Sequence, residues 1–226
     1  MVVVGTEVVR VFKDEKSVDR VAKLLKMQGL QAIQPQPFKP TTTDSRHTLG
    51  YSPNLLLKLP PPTDINRVWV ADITYIPLRS HVFAYLALML DLCSRRVVGW
   101  SLAEHMTETL VLDALQHAIR ARQPPPNLIH HSDRGGQYAS QAYRGLLRRA
   151  AMQQSMSRAA NCYDNAFMES CFGTIKTELE MTEYEHSRQA RSDIASYLAY
   201  YNTERLHSSL EYLSPTNFEA RLAQER

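Results

Sequence analysis

The chain has 226 residues, 44% of them hydrophobic and 22% charged, enough to bury one full core with a small appendage beside it. Its three cysteines, Cys93, Cys162 and Cys171, show no C-x-x-C pairing and leave an odd thiol, which argues against a disulfide framework or a zinc knuckle and for a reducing cytoplasm. The longest apolar run, Val82 to Leu90, is less than half the ~20 residues a membrane helix needs, and the start MVVVGTEVVR lacks the basic flank of a secretory signal, so no membrane partner is expected. The net charge of +3 names no partner by itself, but it is unevenly spread. Five arginines and no acid fall between Arg134 and Arg158, whereas Asp164 to Arg226 holds eleven acids against six bases.

In chain order, the first expected element is a short helix over about Ser17 to Met27, with Val18, Val21, Leu24 and Leu25 on one stripe and Gly29 as a stop. Residues 31–62 carry seven of the twelve prolines and read as an extended linker. Strands are expected at Arg67 to Ile76, Val82 to Cys93 and Arg95 to Leu102, with turns at Pro77 to Ser80 and Ser94 to Arg95, giving an antiparallel meander. Thr107 is the expected cap of a helix that Pro124, Pro125 and Pro126 end. A strand at Asn127 to His131, a helix from Ser140 toward Ala151 and a strand at Gln153 to Ser157 follow. Asp164 or Asn165 is expected to cap a helix bearing Glu169, and a last helix runs over about Ser187 to Asn202. Three antiparallel strands, then parallel ones alternating with helices, describe an α/β domain with the RNase H-like order: a mixed five-stranded sheet flanked by helices, with a short helical N-terminal remnant.

Asp72 lies inside the apolar strand Val-Trp-Val-Ala-Asp-Ile-Thr-Tyr-Ile, where a carboxylate is costly to bury without a partner or a cation. Alternation puts it on the face of Val68 and Val70, opposite Trp69, Ala71 and Ile73. Asp133 closes the next strand before Arg-Gly-Gly, at the carboxyl end of a strand, where ligands collect in open mixed sheets. Glu169 falls in the first turns of its helix, with Phe167, Cys171 and Ile175 as the stripe expected to pack on the sheet. Lys176 stands two turns on, near the same face as Glu169. Three converging carboxylates repel one another unless divalent cations are present, and Mg2+ suits hard oxygen ligands. Two such ions about 3.5–4 Å apart serve phosphodiester chemistry without a protein nucleophile.

The stretches WVADITYIP (69–77), LDLCSRRVVGWSL (90–102), LIHHSDRGGQYAS (128–140), SMSRAANCYDNAFMESCFGTIKTEL (155–179) and YYNTERLHSSLEYLSPTNFE (200–219) resemble the insertion-sequence transposases with a DDE catalytic core, relatives of the retroviral integrases. They look most like OrfB, the second reading frame of the three-group elements, and Asp133 and Glu169 keep the 35-residue separation of the D,D(35)E signature. The resemblance implies that Asp72, Asp133 and Glu169 are catalytic and hold two Mg2+ ions, with Mn2+ as a substitute. It implies nicking at element ends, then attack of the freed 3′-hydroxyl on another phosphodiester. The implied partners are element-end and target DNA and further copies of the chain on that DNA, and the upstream-frame product OrfA is raised as another. The implied location is the cytoplasm, on the nucleoid. The implied division is a partial helix-turn-helix over residues 1–30, a Pro-rich linker over 31–62, the catalytic core over 63–182 and a C-terminal helical extension over 183–226. Only SVDRVAKLLKMQGL matches the family's N-terminal helix-turn-helix, and MVVVGTEVVRVFKDEK ahead of it does not, the pattern of a truncated or frameshifted copy.

Lys176, beside the carboxylates, and the arginines Arg134, Arg144, Arg148, Arg149 and Arg158 are candidates for DNA phosphates, with a solvated face as the alternative for the arginines. Arg205 and His207 are open to DNA contact, subunit contact or plain packing. His130 and His131 point to opposite faces and do not share one ion, and His131 lies on the side of Asp133 as a supporting residue. Asn165 either caps the helix or orients the site, and Gly135 and Gly136 either make a tight turn or let backbone approach a phosphate. Two other functions compete with transposition: hydrolysis without joining, as a simple RNase H-like nuclease, and DNA binding without turnover, as the remnant of a decayed element.

Overall fold

Among the described residues there are five strands, β1 (Val68–Leu78), β2 (Val82–Asp91), β3 (Val97–Ala103), β4 (Ile129–Ser132) and β5 (Gln153–Met156), of which the first three are rich in branched and aromatic residues and β5, Gln-Gln-Ser-Met, has none. They make one sheet in the order β3-β2-β1-β4-β5, with β1 antiparallel to β2, β2 antiparallel to β3, and β4 parallel to both β1 and β5. The helices are α1 (Glu108–Arg122), α2 (Gly136–Ala139), α3 (Gln141–Arg149), α4 (Ala166–Glu178), α5 (Ser187–Thr203) and α6 (Pro215–Gln224). The computed structural model describes residues 23, 27–28, 48–79, 82–158, 166–179 and 183–225. Contacts divide the chain into a unit Met1–Pro37 and a unit Phe38–Arg226, and the elements above belong to the second. Apart from Lys23 and Met27, both helical, the helix expected over Ser17 to Met27 lies outside the described residues.

The central strand is buried on both faces, and its alternation splits the core in two. Val68, Val70, Ile76 and Leu78 face a layer made by Met168, Cys171, Phe172 and Ile175 of α4 and by Ala190, Ile194, Leu198 and Tyr201 of α5. Trp69, Ala71 and Ile73 face Leu110, Ala114 and Leu115 of α1, together with Tyr138, Tyr143 and Leu147 of α2 and α3. Helices therefore cover both sides of a mixed sheet, the arrangement expected from the sequence.

Several boundaries differ from the expected ones for local reasons. The first strand runs through Pro77 instead of turning there. Tyr184 N–H donates to the Pro77 carbonyl at 3.1 Å on the side away from β2, so the N–H that proline lacks would also have pointed away, and no β1–β2 bond is lost. Thr107 does precede α1, but its hydroxyl makes no capping hydrogen bond. Ser140 does cap α3, accepting from Tyr143 N–H. The predicted α4 stripe is corrected: Met168, Cys171, Phe172 and Ile175 are buried, whereas Phe167 is 44% exposed. The α6 helix was not expected, although Ser214 caps it and Pro215 occupies its first turn.

Among the described glycines, Gly99 on β3 leaves the least room for a side chain. A Cβ there would lie 2.5 Å from the Ala114 carbonyl oxygen and 2.7 Å from Ala118 Cβ, so glycine lets α1 lie directly on the strand. Gly99→Ala is expected to destabilise the fold by about 1–3 kcal/mol through overpacking. Urea unfolding measures it, and an unchanged midpoint would mean that α1 shifts at no cost.

Both sheet edges are covered. On β3, Asn202 of α5 accepts from Val97 N–H at 2.9 Å and donates to the Val97 carbonyl at 2.9 Å, while Arg191 donates to the Leu102 carbonyl. On β5, the second half of the expected linker is a strap. Ser52 donates to Gln154 at 2.8 Å, Leu55 N–H donates to Ser155 Oγ at 2.9 Å, and Met156 N–H donates to the Pro53 carbonyl at 3.4 Å. The strap is not extended throughout, as the sequence suggested: a 3-10 turn at Leu56–Lys58 follows Pro53, and the backbone and side chains just before it satisfy the exposed edge.

Candidate active site

The pairing of β1 with β4 runs from Val68 opposite Ile129 to Val70 opposite His131 and then stops. Two residues beyond the last pair stand Asp72 and Asp133, which the parallel register brings side by side where the strands part. Both are half-buried. Asp72 Oδ1 accepts from Ile73 N–H at 2.8 Å, and Asp133 Oδ1 accepts from Gly135 N–H at 2.9 Å, which folds the turn back under the carboxylate. A Cβ on Gly135 would lie 3.1 Å from Asp133 Oδ1 and 3.7 Å from the Tyr138 ring, so this glycine serves close approach as well as the turn. The fully buried Tyr138 hydroxyl is held far above its ordinary range first by burial, then by Tyr143 and by the charges of Asp72 and Asp133.

Glu169 stands on the exposed face of α4 and makes no hydrogen bond or ion pair among the described residues. Lys176, two turns further, lies over the Tyr75 ring at 4.1 Å. Burial lowers its pKa, and the charge of Asp72 works against that shift. The helix thus brings a cation to Asp72. Among the described residues, no three His, Cys, Asp or Glu side chains gather closely enough to hold a metal ion. The sheet brings Asp72 and Asp133 together, and Glu169 stands on the neighbouring helix.

The supporting histidines divide as alternation requires. His130 bonds the Tyr143 hydroxyl at 2.9 Å in the core under α3, and burial, then His131, pushes it down to about 3. On the other face His131 Nδ1 meets Ser155 Oγ at 2.8 Å, the same hydroxyl that holds the strap. Asn165 lies outside the described residues.

The candidate DNA-contact residues fall into three groups. Arg148 and Arg149 on α3 and Arg158 after β5 are exposed. Arg134 and Arg144 reach the strap, Arg134 stacking over Tyr51 at 4.8 Å and bonding the Ser157 carbonyl at 2.8 Å, Arg144 bonding the Gly50 carbonyl at 2.6 Å. Arg205 binds Glu178 through Nε at 2.9 Å and Nη2 at 2.7 Å. His207 packs edge-on against Tyr201 with centroids 4.8 Å apart, and burial, then Arg205, lowers it to about 4.

A second polar centre escaped the sequence reading. Buried Asp91 accepts from Asn66 N–H, Trp69 Nε1, Cys93 N–H and Ser94 N–H, which fixes the turn between β2 and β3. Beside it Glu219 of α6 accepts from Ser94 Oγ at 2.8 Å, Arg96 at 2.6 Å and both terminal nitrogens of Arg122 at 2.8 Å. No local pattern announced that group, because members that bond each other, such as Ser94 and Glu219, lie 125 residues apart.

The Integrase core domain family matches residues 62–162, and a second family of that description matches residues 150–215. The transposase for insertion sequence element IS904 of Lactococcus lactis is 41% identical over 202 residues, 88% of this chain and 79% of that one. The chain belongs to the insertion-sequence transposases with an integrase core domain. Transposase InsF for insertion sequence IS3A of Escherichia coli is likewise 41% identical, over 90% of this chain and 70% of its own length. Among solved structures, the integrase core domain resembles the HTLV-2 integrase catalytic core in complex with magnesium, with TM-score 0.55 and 18% identity over 68% of this chain and 96% of that one. A chain of the simian T-cell lymphotropic virus intasome in complex with PP2A regulatory subunit B56 gamma gives TM-score 0.59 and 18% identity, covering 90% of this chain and 66% of its own. These neighbours fix the fold as RNase H-like.

Proposed function

We propose that the chain is the catalytic part of a DNA transposase, which cleaves phosphodiester bonds at element ends and joins the freed 3′-hydroxyl to target DNA. The observation that carries this reading is the register of β1 and β4, which ends at Val70 opposite His131 and so sets Asp72 and Asp133 each two residues past the last pair, in a chain of the transposase family. The two carboxylates suit a hard divalent cation: both present oxygen, and glycine at position 135 leaves the Asp133 carboxylate uncrowded. Asp72 and Asp133 would hold the cation from the sheet, and Glu169, which does not gather with them here, would have to move closer from α4 to complete the set. Two Mg2+ ions, replaceable by Mn2+, supply activation of the attacking oxygen and relief of charge on the leaving one. The protein's own residues do the rest. Lys176, held over Tyr75, meets the phosphate next to the carboxylates. The exposed arginines Arg148, Arg149 and Arg158 track the backbone further out.

Catalysis at two element ends calls for at least two copies of the chain on DNA, and the upstream-frame product OrfA is a further proposed partner. Among the described residues no helix is long and apolar enough to cross a membrane, and work on chromosomal DNA sets the proposed location in the cytoplasm, at the nucleoid. The deciding experiment incubates the purified chain and Mg2+ with DNA carrying the element's ends and a target plasmid. Joined product is expected. Cleavage without joining would instead identify a nuclease, and binding without either a remnant.

A further inference from the structure

Arg95 occupies an unusual place in the turn between β2 and β3. Its φ is 58°, a left-handed conformation that an L-residue with a side chain adopts at a cost, although the turn would accept glycine freely. The turn is pinned from below by the Asp91 carboxylate, which accepts from Cys93 and Ser94 N–H, and by Arg95 N–H bonding the Asp91 carbonyl at 2.9 Å. The guanidinium then lies 4.4 Å over the centre of the Phe167 ring. Phe167 is 44% exposed on the first turn of α4, two residues ahead of Glu169, and supports a cation at the surface instead of packing on the sheet.

Nearby arginines on this unit have internal carboxylates: Arg96 and Arg122 share Glu219, and Arg205 holds Glu178. Arg95, which is half-buried, has none within hydrogen-bonding distance among the described residues. A partly desolvated guanidinium without an internal anion is an incomplete arrangement, and its planar fork matches a phosphate.

We propose that Arg95, aimed by Phe167, is a phosphodiester-binding residue that holds a DNA strand at the start of α4, the helix that carries Glu169. This rests on the reading of the chain as a DNA transposase and adds a contact to it. Phe167 supplies a rigid aromatic face that limits where the guanidinium can go, so the charge is delivered at one position at the start of α4. The ligand class is the nucleic-acid backbone, which binds without regard to sequence.

The left-handed backbone makes the test two-sided. In Arg95→Gly the strain of the turn is relieved, so its melting temperature is expected to equal or exceed that of the unaltered chain, even though the ring contact is gone. The same variant loses one phosphate contact. Binding of the full chain to a short fluorescein-labelled duplex of arbitrary sequence, followed by anisotropy over a salt series without metal, should therefore show a log–log slope shallower by about one. Arg95→Lys should keep the slope. Phe167→Leu should weaken binding at low salt while keeping the slope, because the charge remains but is no longer aimed. Unaltered chain that binds the duplex, with an Arg95→Gly variant of identical slope, overturns the assignment of Arg95 alone. Absence of any duplex binding by the unaltered chain overturns the transposase reading as well.

Discussion

Alanine at Asp72 or at Asp133 is expected to reduce strand joining by at least about a thousandfold, because a bound cation contributes several kcal/mol to the transition state and each 1.36 kcal/mol is a factor of ten. The measurement is single-turnover joining in Mg2+, with circular dichroism as a check on folding. Glu169→Ala should fall as far if, as proposed, the same cations take Glu169 as their third ligand. Melting provides a readout independent of turnover. Mg2+ at about a hundred times its dissociation constant should stabilise the unaltered chain by about 2.7 kcal/mol. That rise should vanish in Asp72→Asn and Asp133→Asn, which keep the shape of the site and remove its charge. Joining that survives in all three alanine variants would sink the assignment of the triad.

The largest loss of stability is expected far from that site, at Glu219. Its carboxylate is 8% exposed and takes hydrogen bonds from Arg122, Arg96 and Ser94, so that α6, the β2–β3 turn and the end of α1 are tied through one group. Glu219→Ala leaves the Arg122 guanidinium, 12% exposed, without its carboxylate, and should cost about 3–5 kcal/mol in denaturant unfolding. Burial works to raise the Glu219 carboxyl, but hydrogen bonds from Arg122 and Ser94, then the Arg122 charge and the Arg96 bond, outweigh it and hold the group below its ordinary 4.5. A carboxyl held low in the folded chain stabilises that chain while it is ionised. Its contribution is complete above pH 4.5 and is lost as the pH falls from there through the folded-state value. The advantage of the unaltered chain over Glu219→Gln should therefore shrink below that pH. The opposite, burial-driven rise at Asp91 is present in both chains and largely cancels in the comparison. A difference that stays constant into acid would show that the carboxylate's charge contributes nothing.

The family resemblance and the strand order come from short-range signals, and those survive folding intact. Strand alternation around Asp72 held because β1 is the middle strand, with each face committed to its own core. The α4 stripe was misread by one position. Phe167 and Met168 are both apolar, and a hydrophobic period cannot tell which one meets the sheet and which carries an arginine. The strap over β5 was legible as proline-rich linker but neither its 3-10 turn at Leu56–Lys58 nor its covering of an edge was, since its partners Gln154 and Ser155 lie about a hundred residues away.

By itself the sequence determined which carboxylates to consider, the order of the elements and the family, because motif, spacing and alternation are local properties of the chain. The tertiary structure decided the rest. It set Asp72 and Asp133 together where two strands part, left Glu169 on the exposed face of the neighbouring helix, gave Arg205 to Glu178 and placed Arg95 over Phe167 without an acid. Whether a charge finds an internal partner depends on segments that meet only after the chain has folded, and no local pattern records that meeting.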